Sequence, residues 1–218
     1  MDSSIYDELY RRKDRSDVLE LLNGRFYKGM TCYEIGAGTG LLAHEIADKF
    51  LNYVAVEPDI KFFKKLQERS DRSFLAVNGY IDEEIGDEFD LGLCIFNVVN
   101  HITPETLFDF IASCAQKLNS RGDFVFDAYN STMVYKKPPC KYEKQTKYGT
   151  VSVEPSLTEA SLALEYFLGG QTISKMKLFM HDQTELEQSI RKCFSSYEKQ
   201  YLNGIFGDPY FVRYTCAK

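Results

Sequence analysis

Cys32-Tyr33-Glu34-Ile35-Gly36-Ala37-Gly38-Thr39-Gly40, continued by Leu41 to Phe50 and then by Tyr53-Val54-Ala55-Val56-Glu57, decides the reading of this chain. A short β-prone run enters a glycine turn, the turn opens a helix-like stretch, and a second strand ends on an acid. Three alternating glycines let the backbone pass close to a ligand with no Cβ in the way, and suit φ values that other residues avoid. A carboxylate after the second strand stands where it can accept both hydroxyls of a ribose. The pattern is that of a nucleoside-binding crevice. A glycine turn serving only strand–helix packing is the plainer alternative.

The glycine spacing narrows the nucleoside. A dinucleotide fingerprint needs G-x-G-x-x-G, and Leu41 stands where its last glycine would be. Glu34, before the first glycine, fits poorly beside a pyrophosphate and well beside a cationic α-amino group. S-adenosylmethionine has a ribose, an α-amino acid and no phosphate. The E-x-G-x-G-x-G loop resembles motif I of the class I S-adenosylmethionine-dependent methyltransferases, and Val56-Glu57-Pro58 resembles their motif II. The resemblance implies S-adenosylmethionine as cofactor, with Gly36, Ala37, Gly38 and Gly40 passing it, Glu34 orienting its amino group and Glu57 holding its ribose beside Pro58. At the third strand end the family carries an acid that contacts the adenine amine. The aligned triplet here is Asn78-Gly79-Tyr80, so adenine recognition is expected to shift to Asn78, the Tyr80 backbone or Asp82.

The rest of the chain sets this crevice in a repeating frame. Residues 5–22 read as a helix broken by Asn23-Gly24, and strands follow at 31–35, 53–57, 74–78, 91–96 and 123–129. Helices are expected over 41–50, 59–69 and 104–119, the last started by Thr103 and Pro104. Alternation of this kind implies right-handed βαβ units and a doubly wound, mostly parallel sheet. Gly36–Gly40, Glu57, Asn78–Tyr80 and Asn97–His101 all fall at carboxyl ends of strands, where ligands bind on such sheets. After Pro138-Pro139 come β-prone runs at 150–153, 161–168 and 172–180, the last two around Gly169-Gly170 as a hairpin. The expectation is a single α/β domain over residues 1–218 with a seven-stranded sheet, and a small antiparallel sheet inserted over 138–181 as a cover. Asp182 caps a helix over 183–194, with Glu185 at capping-box spacing, and two closing strands lie near 195–201 and 210–217.

Composition excludes several classes. The chain has 218 residues, 44% hydrophobic, and a net charge of −6. An acidic chain with only short basic runs is a poor nucleic-acid surface. After the fourth strand it has Asn97-Val98-Val99-Asn100 rather than the [DN]-P-P-aromatic motif of enzymes that methylate bases. No stretch reaches the roughly 18 apolar residues of a membrane span, and the polar start is not a signal peptide. Six cysteines without a C-x-x-C pair point to free thiols and a cytoplasmic setting. Three histidines without ligand spacing argue against a metal site.

The catalytic side rests on a second segment, Phe89 to Ile102, whose strand delivers Phe96 and Asn97 to the cofactor edge and whose loop carries Asn100 and His101. With the opening Tyr6-Asp7-x-x-Tyr10-x-x-Lys13-Asp14, it resembles the small-molecule methyltransferases that methylate the amino group of nucleotide-linked deoxysugars. The opening departs from them at Arg15, where a second aromatic would stand. The resemblance implies a small-molecule acceptor, with Tyr6 and His101 lining its pocket; Asp127 and Tyr129 are further candidates. His101 would take a proton from an ammonium or hydrogen-bond a neutral amine, while a bare amine needs no base. O-methylation of a small metabolite and a non-catalytic S-adenosylmethionine-binding module stay open as alternatives. The apolar residues Leu162, Leu164, Tyr166 and Phe167 leave the inserted sheet two uses, a cover over the site or a contact in a homodimer.

Overall fold

Strand and helix alternate from Thr31 onward because the apolar periodicity does. The computed structural model describes residues 1–11, 15–25, 29–70, 73–81, 85–202 and 210–218. In chain order the elements begin with α1 (Ser3–Tyr10), α2 (Ser16–Arg25), β1 (Thr31–Ile35), α3 (Leu41–Ile46), β2 (Asn52–Val56), α4 (Ile60–Arg69), β3 (Leu75–Val77) and β4 (Phe89–Cys94). Next come α5 (Leu107–Gln116), β5 (Leu118–Tyr129) and α6 (Ser131–Lys136). Then follow β6 (Tyr142–Thr146), β7 (Gly149–Leu157), β8 (Ser161–Leu168), β9 (Gln171–Phe179), α7 (Gln183–Cys193), β10 (Ser196–Leu202) and β11 (Phe211–Ala217).

The main sheet has seven strands in the order β10-β11-β5-β4-β1-β2-β3. Pairing from β5 through β3 is parallel, and β11 runs antiparallel to both neighbours. The chain order reverses between β4 and β1, so the loops after these strands diverge and leave a crevice. Central strands are buried on both faces: Tyr33, Val54 and Phe124 pack in one apolar layer, Cys32, Tyr53 and Leu93 in the other. Gly92 on β4 makes room for Tyr33, because a Cβ there would stand 2.3 Å from the tyrosine ring. The Tyr33 hydroxyl, otherwise stranded in the core, donates to the Cys114 carbonyl at 2.7 Å.

The second sheet, β6-β7-β8-β9, is antiparallel throughout. Gly169-Gly170 turns β8 into β9 with both φ values positive. Pro155 falls beyond the end of β6, so its missing N–H leaves no gap in that ladder. Asp182 caps α7 as expected, accepting from the amides of Thr184 and Glu185.

Three expectations need correction. The single helix over 5–22 is two helices, and the second runs through Asn23-Gly24 to Arg25. The Arg15 guanidinium donates to the carbonyl of Tyr10, the last residue of the first, at 3.0 Å. β6 and α6 lie where no element was expected. β6 is a two-face polar strand with no apolar alternation to mark it, and α6 is a short helix capped by Asn130, which accepts from Met133 N. The strand at 123–129 starts earlier, at Leu118, across a register shift against β4.

Candidate active site

The carboxyl end of β1 turns sharply at Gly36, Gly38 and Gly40, with φ of 69°, 59° and 79°. A Cβ on Gly36 would stand 2.6 Å from the Val98 side chain, so the glycine loop meets the 3-10 turn Val98–His101 at backbone distance. Ala37 N donates to Val56 O and Gly40 N to Ala37 O, which folds the loop back over β2. Glu57 lies one residue past β2, buried, and both its oxygens accept main-chain amides, from Gly38 at 2.8 Å and Asp59 at 2.9 Å. Burial raises its pKa and the two amides oppose the rise. Each oxygen keeps a second lone pair, which a ribose hydroxyl could use.

Glu34 is 3% exposed. It accepts one hydrogen bond, from the Tyr53 hydroxyl at 2.9 Å. Burial pushes its pKa up to about 7; Glu57 adds to the rise, while Tyr53 and Arg15 oppose it. A buried carboxylate this poorly compensated favours a cation beside it. At the third strand end the Asn78 amide donates to the carbonyls of Glu57 and Pro58, at 2.8 and 3.2 Å. Gly79 N donates to Glu57 O at 3.3 Å. Asn78 thereby ties the ends of β2 and β3 together and keeps its own carbonyl oxygen for a donor. The Tyr80 side chain is 65% exposed, which leaves its backbone as the part facing the crevice. Asp82 lies outside the described residues, as do Lys13 and Asp14.

After β4 the chain takes an expensive path. Phe96 and Asn97 have φ of 63° and 67°, and such residues cost about 1–3 kcal/mol each and gather at functional sites. Phe96 N donates to Asp127 Oδ1 at 3.2 Å. The Asn97 Oδ1 is sealed from solvent and has no partner among the described residues. Asp127, a further candidate for the acceptor side, is paired across the sheet with buried Arg213 at 3.3 Å. That guanidinium offsets the charge an ammonium would need.

The N-terminal helix lies over the glycine loop. The Tyr6 hydroxyl is 3.6 Å from the point where a Cβ on Gly38 would stand, and its ring meets Phe62 edge-on at 5.0 Å. Burial and the nearby Glu57 and Glu34 raise its pKa to about 12. Asp7 holds the helix down: it accepts the Thr39 hydroxyl at 2.6 Å and pairs with Arg69 at 2.5 Å. His101 ends the 3-10 turn, exposed, yet packed closely enough for desolvation to lower its pKa. No hydrogen bond or ring contact joins His101 to Tyr6 among the described residues; the structure sets them on the same sheet edge without bringing them together.

Two residues without an assigned role in the sequence hold the His101 turn. Asn100 is fully buried, accepts from Tyr129 N at 2.9 Å and donates to Phe179 O at 2.6 Å. His181 binds the Val99 carbonyl through Nε2 at 3.0 Å. The turn is thus pinned to β5 and to the last strand of the second sheet. Sequence offered no signal for His181, because its partner lies 82 positions away. Asp7 was visible only as part of an opening motif, without its contacts.

The crevice fits S-adenosylmethionine by its donor set. Positive-φ glycines admit a ligand to the main chain, the Glu57 carboxylate suits a ribose, and Glu34 with the orphaned Asn97 Oδ1 offers acceptors to an ammonium. Residues 33–124 match the family model described as "Methyltransferase domain". No curated protein matches the chain. Among solved structures, an S-adenosylmethionine-dependent methyltransferase from Clostridium acetobutylicum is 16% identical, with a TM-score of 0.75 over 99% of this chain and 96% of that one. CalS10, an amino pentose methyltransferase from Micromonospora echinaspora, is also 16% identical, with a TM-score of 0.75 over 97% of this chain and 96% of that one. The sugar N-methyltransferase KedS8 from Streptoalloteichus is 15% identical, with a TM-score of 0.73 over 98% and 92%. At these identities the solved structures show the fold, and the family match is to a methyltransferase domain over residues 33–124 of the 218.

Proposed function

We propose that the protein methylates the amino group of a small molecule, and that the acceptor is a nucleotide-linked amino sugar. One observation carries the reading: α1, which lies over the glycine loop, and the second sheet on which it rests fall within the stretch, nearly the whole chain, that aligns with structures described as amino pentose and sugar N-methyltransferases. A net charge of −6 makes this chain a poor surface for nucleic acid.

Bound S-adenosylmethionine supplies an electrophilic methyl carbon on a sulfonium. The protein's part is to hold the acceptor nitrogen in line with it and to exclude water. In this reading Glu34 and Asn97 take the cofactor's ammonium and Glu57 its ribose. Gly36, Ala37, Gly38 and Gly40 give main-chain contact, with Pro58 and Phe96 flanking. Adenine falls to the Asn78 carbonyl oxygen and the backbone of Gly79 and Tyr80. Tyr6 positions the acceptor from above the glycine loop. An amine that arrives as an ammonium must shed one proton before its nitrogen can attack the methyl, and a neutral amine need not. His101, held neutral by its lowered pKa, is placed to accept it or to orient a neutral amine.

Incubation with methyl-labelled S-adenosylmethionine and a panel of nucleotide-linked amino sugars tests the reading. Label on the sugar nitrogen is expected. Transfer confined to hydroxyl acceptors would overturn it.

A further inference from the structure

The turn that ends at His101 is held from outside itself. Phe96 and Asn97 enter it with positive φ, and within it Asn100 N donates to Asn97 O and Ile102 N to Val99 O. The Val99 carbonyl takes a second donor, Nε2 of His181, at 3.0 Å. His181 follows β9 between two anchored neighbours. Met180 N donates to Ala160 O at 3.0 Å, and Asp182 caps α7 through the amides of Thr184 and Glu185. Only 4% of His181 is exposed, so its ring is seated by packing as well as by its bond to the turn.

A carbonyl can only accept, so His181 carries its proton on Nε2 and leaves Nδ1 as a bare acceptor. That nitrogen is sealed from solvent and has no hydrogen-bond partner among the described residues. A second proton there would make a buried cation with nothing to receive its N–H. The charges nearby divide. Glu185 on α7 favours that proton. Lys177 on β9, whose ammonium lies over the Phe179 ring at 4.9 Å, opposes it, as would a charged His101 at the end of the turn. Asp182 commits its Oδ1 to the first amides of α7. Burial outweighs both the Val99 carbonyl and Glu185, and lowers the pKa of His181.

We propose that His181 is a positioning residue for the methyl transfer: its neutral imidazole holds the turn that presents His101 to the acceptor. The proposal rests on the reading above, in which His101 meets the reacting amine, and adds what keeps it there. Protonated at Nδ1, the ring must leave its seat to reach water, and the Val99 carbonyl then keeps only Ile102 N. Asn100 still ties the turn to Tyr129 N and Phe179 O, so the turn loosens without the two sheets coming apart. His101 then loses its aim. Acid therefore reaches the reaction through a second imidazole, buried behind the turn.

The test begins with the wild-type chain, whose three histidines make imidazole nitrogen NMR spectra simple to assign. In mildly alkaline buffer His181 should show a proton on Nε2 and none on Nδ1, and the amide signals of Val99 to His101 should shift as it titrates. A proton on Nδ1, or turn signals indifferent to the titration, would overturn the proposal whatever the acceptor proves to be. Kinetics with the amino-sugar panel and adenosylhomocysteine calorimetry then compare His181→Phe with His181→Gln. Loss of one net hydrogen bond should lower kcat of His181→Phe roughly three- to tenfold, with adenosylhomocysteine affinity unchanged. Glutamine keeps a donor near Nε2 and does not titrate. It should restore most of that loss and make the acid side of the kcat profile shallower by one proton. Unchanged kcat in His181→Phe, an equal loss in affinity, or profiles of equal steepness would each sink the positioning role. Spectra as expected, with no amino sugar turned over by the wild type, would instead remove the amine reading and leave the hold of His181 on the turn standing.

Discussion

Glu34 is the residue on which the electrostatics of the crevice turn. Its folded pKa, about 7, lies above its ordinary value, so between the two the folded state holds a proton that the unfolded chain has lost. Stability from this group therefore falls as pH rises through that window. A ligand ammonium beside it pulls the pKa down again, which makes cofactor affinity rise with pH up to about 7 and level off above. Calorimetry near neutral pH, in buffers of differing ionisation enthalpy, should register a released proton that Glu34→Gln abolishes. Glu57→Ala strands the amides of Gly38 and Asp59 and should weaken adenosylhomocysteine binding by about 1–3 kcal/mol. An unchanged calorimetric affinity would remove Glu57 from the site. The glycine turn and the acid at the strand end were legible because backbone geometry demands particular residue types there. Asn97 was placed at the cofactor edge from the sequence, but its left-handed backbone and the partnerless side-chain oxygen were not, because they arise from how β4 leaves the sheet.

At the scale of elements, the 3-10 turn after β4 is held from three sides. Asn100 links it to β5 and β9, His181 holds the Val99 carbonyl, and Val98 leans on Gly36. Asn100→Ala removes an acceptor from Tyr129 N and a donor from Phe179 O, each worth about 1–3 kcal/mol when stranded. Expected are a lower melting temperature and a larger loss in kcat than in adenosylhomocysteine affinity. Losses equal in both would mean that the turn supports the cofactor loop and not the acceptor side. The parallel core strands were readable from continuous apolar runs, and α7 from its aspartate cap. β6 and α6 were not, since a strand polar on both faces and a helix of six residues carry too little periodicity. The polar run Arg11–Asp17, with no apolar residue between Tyr10 and Val18, was the signal for the split between α1 and α2 that the helix reading passed over.

For the molecule as a whole, α1 joins its two sheets. Asp7 clamps it to Thr39 and Arg69 on the cofactor side, while Leu9 and its neighbours seat it on the second sheet. The glycine loop lies under this helix, and the expectation is that the helix lifts for cofactor exchange. Asp7→Asn weakens a charge-assisted clamp of about 1.5–3 kcal/mol, and stopped-flow binding should show adenosylhomocysteine leaving faster. Hydrogen exchange should show the α1 amides slowing when adenosylhomocysteine binds. Equal exchange with and without ligand would separate the helix from the crevice. The doubly wound, mostly parallel sheet was legible from the alternation of elements, but which face of the inserted sheet would meet α1 was not, because that contact joins distant stretches of chain.

The seat of α1 also bears on how the polypeptide comes together during synthesis. Leu9 leaves the ribosome far ahead of Val151, Val153 and Tyr166, the side chains that receive it. Arg213, the counter-ion of Asp127, follows later still. Until those strands emerge the leading helix has little to dock on, and its apolar face waits in water. A translational pause placed before β7 is expected to lengthen the time that Leu9 stays exposed.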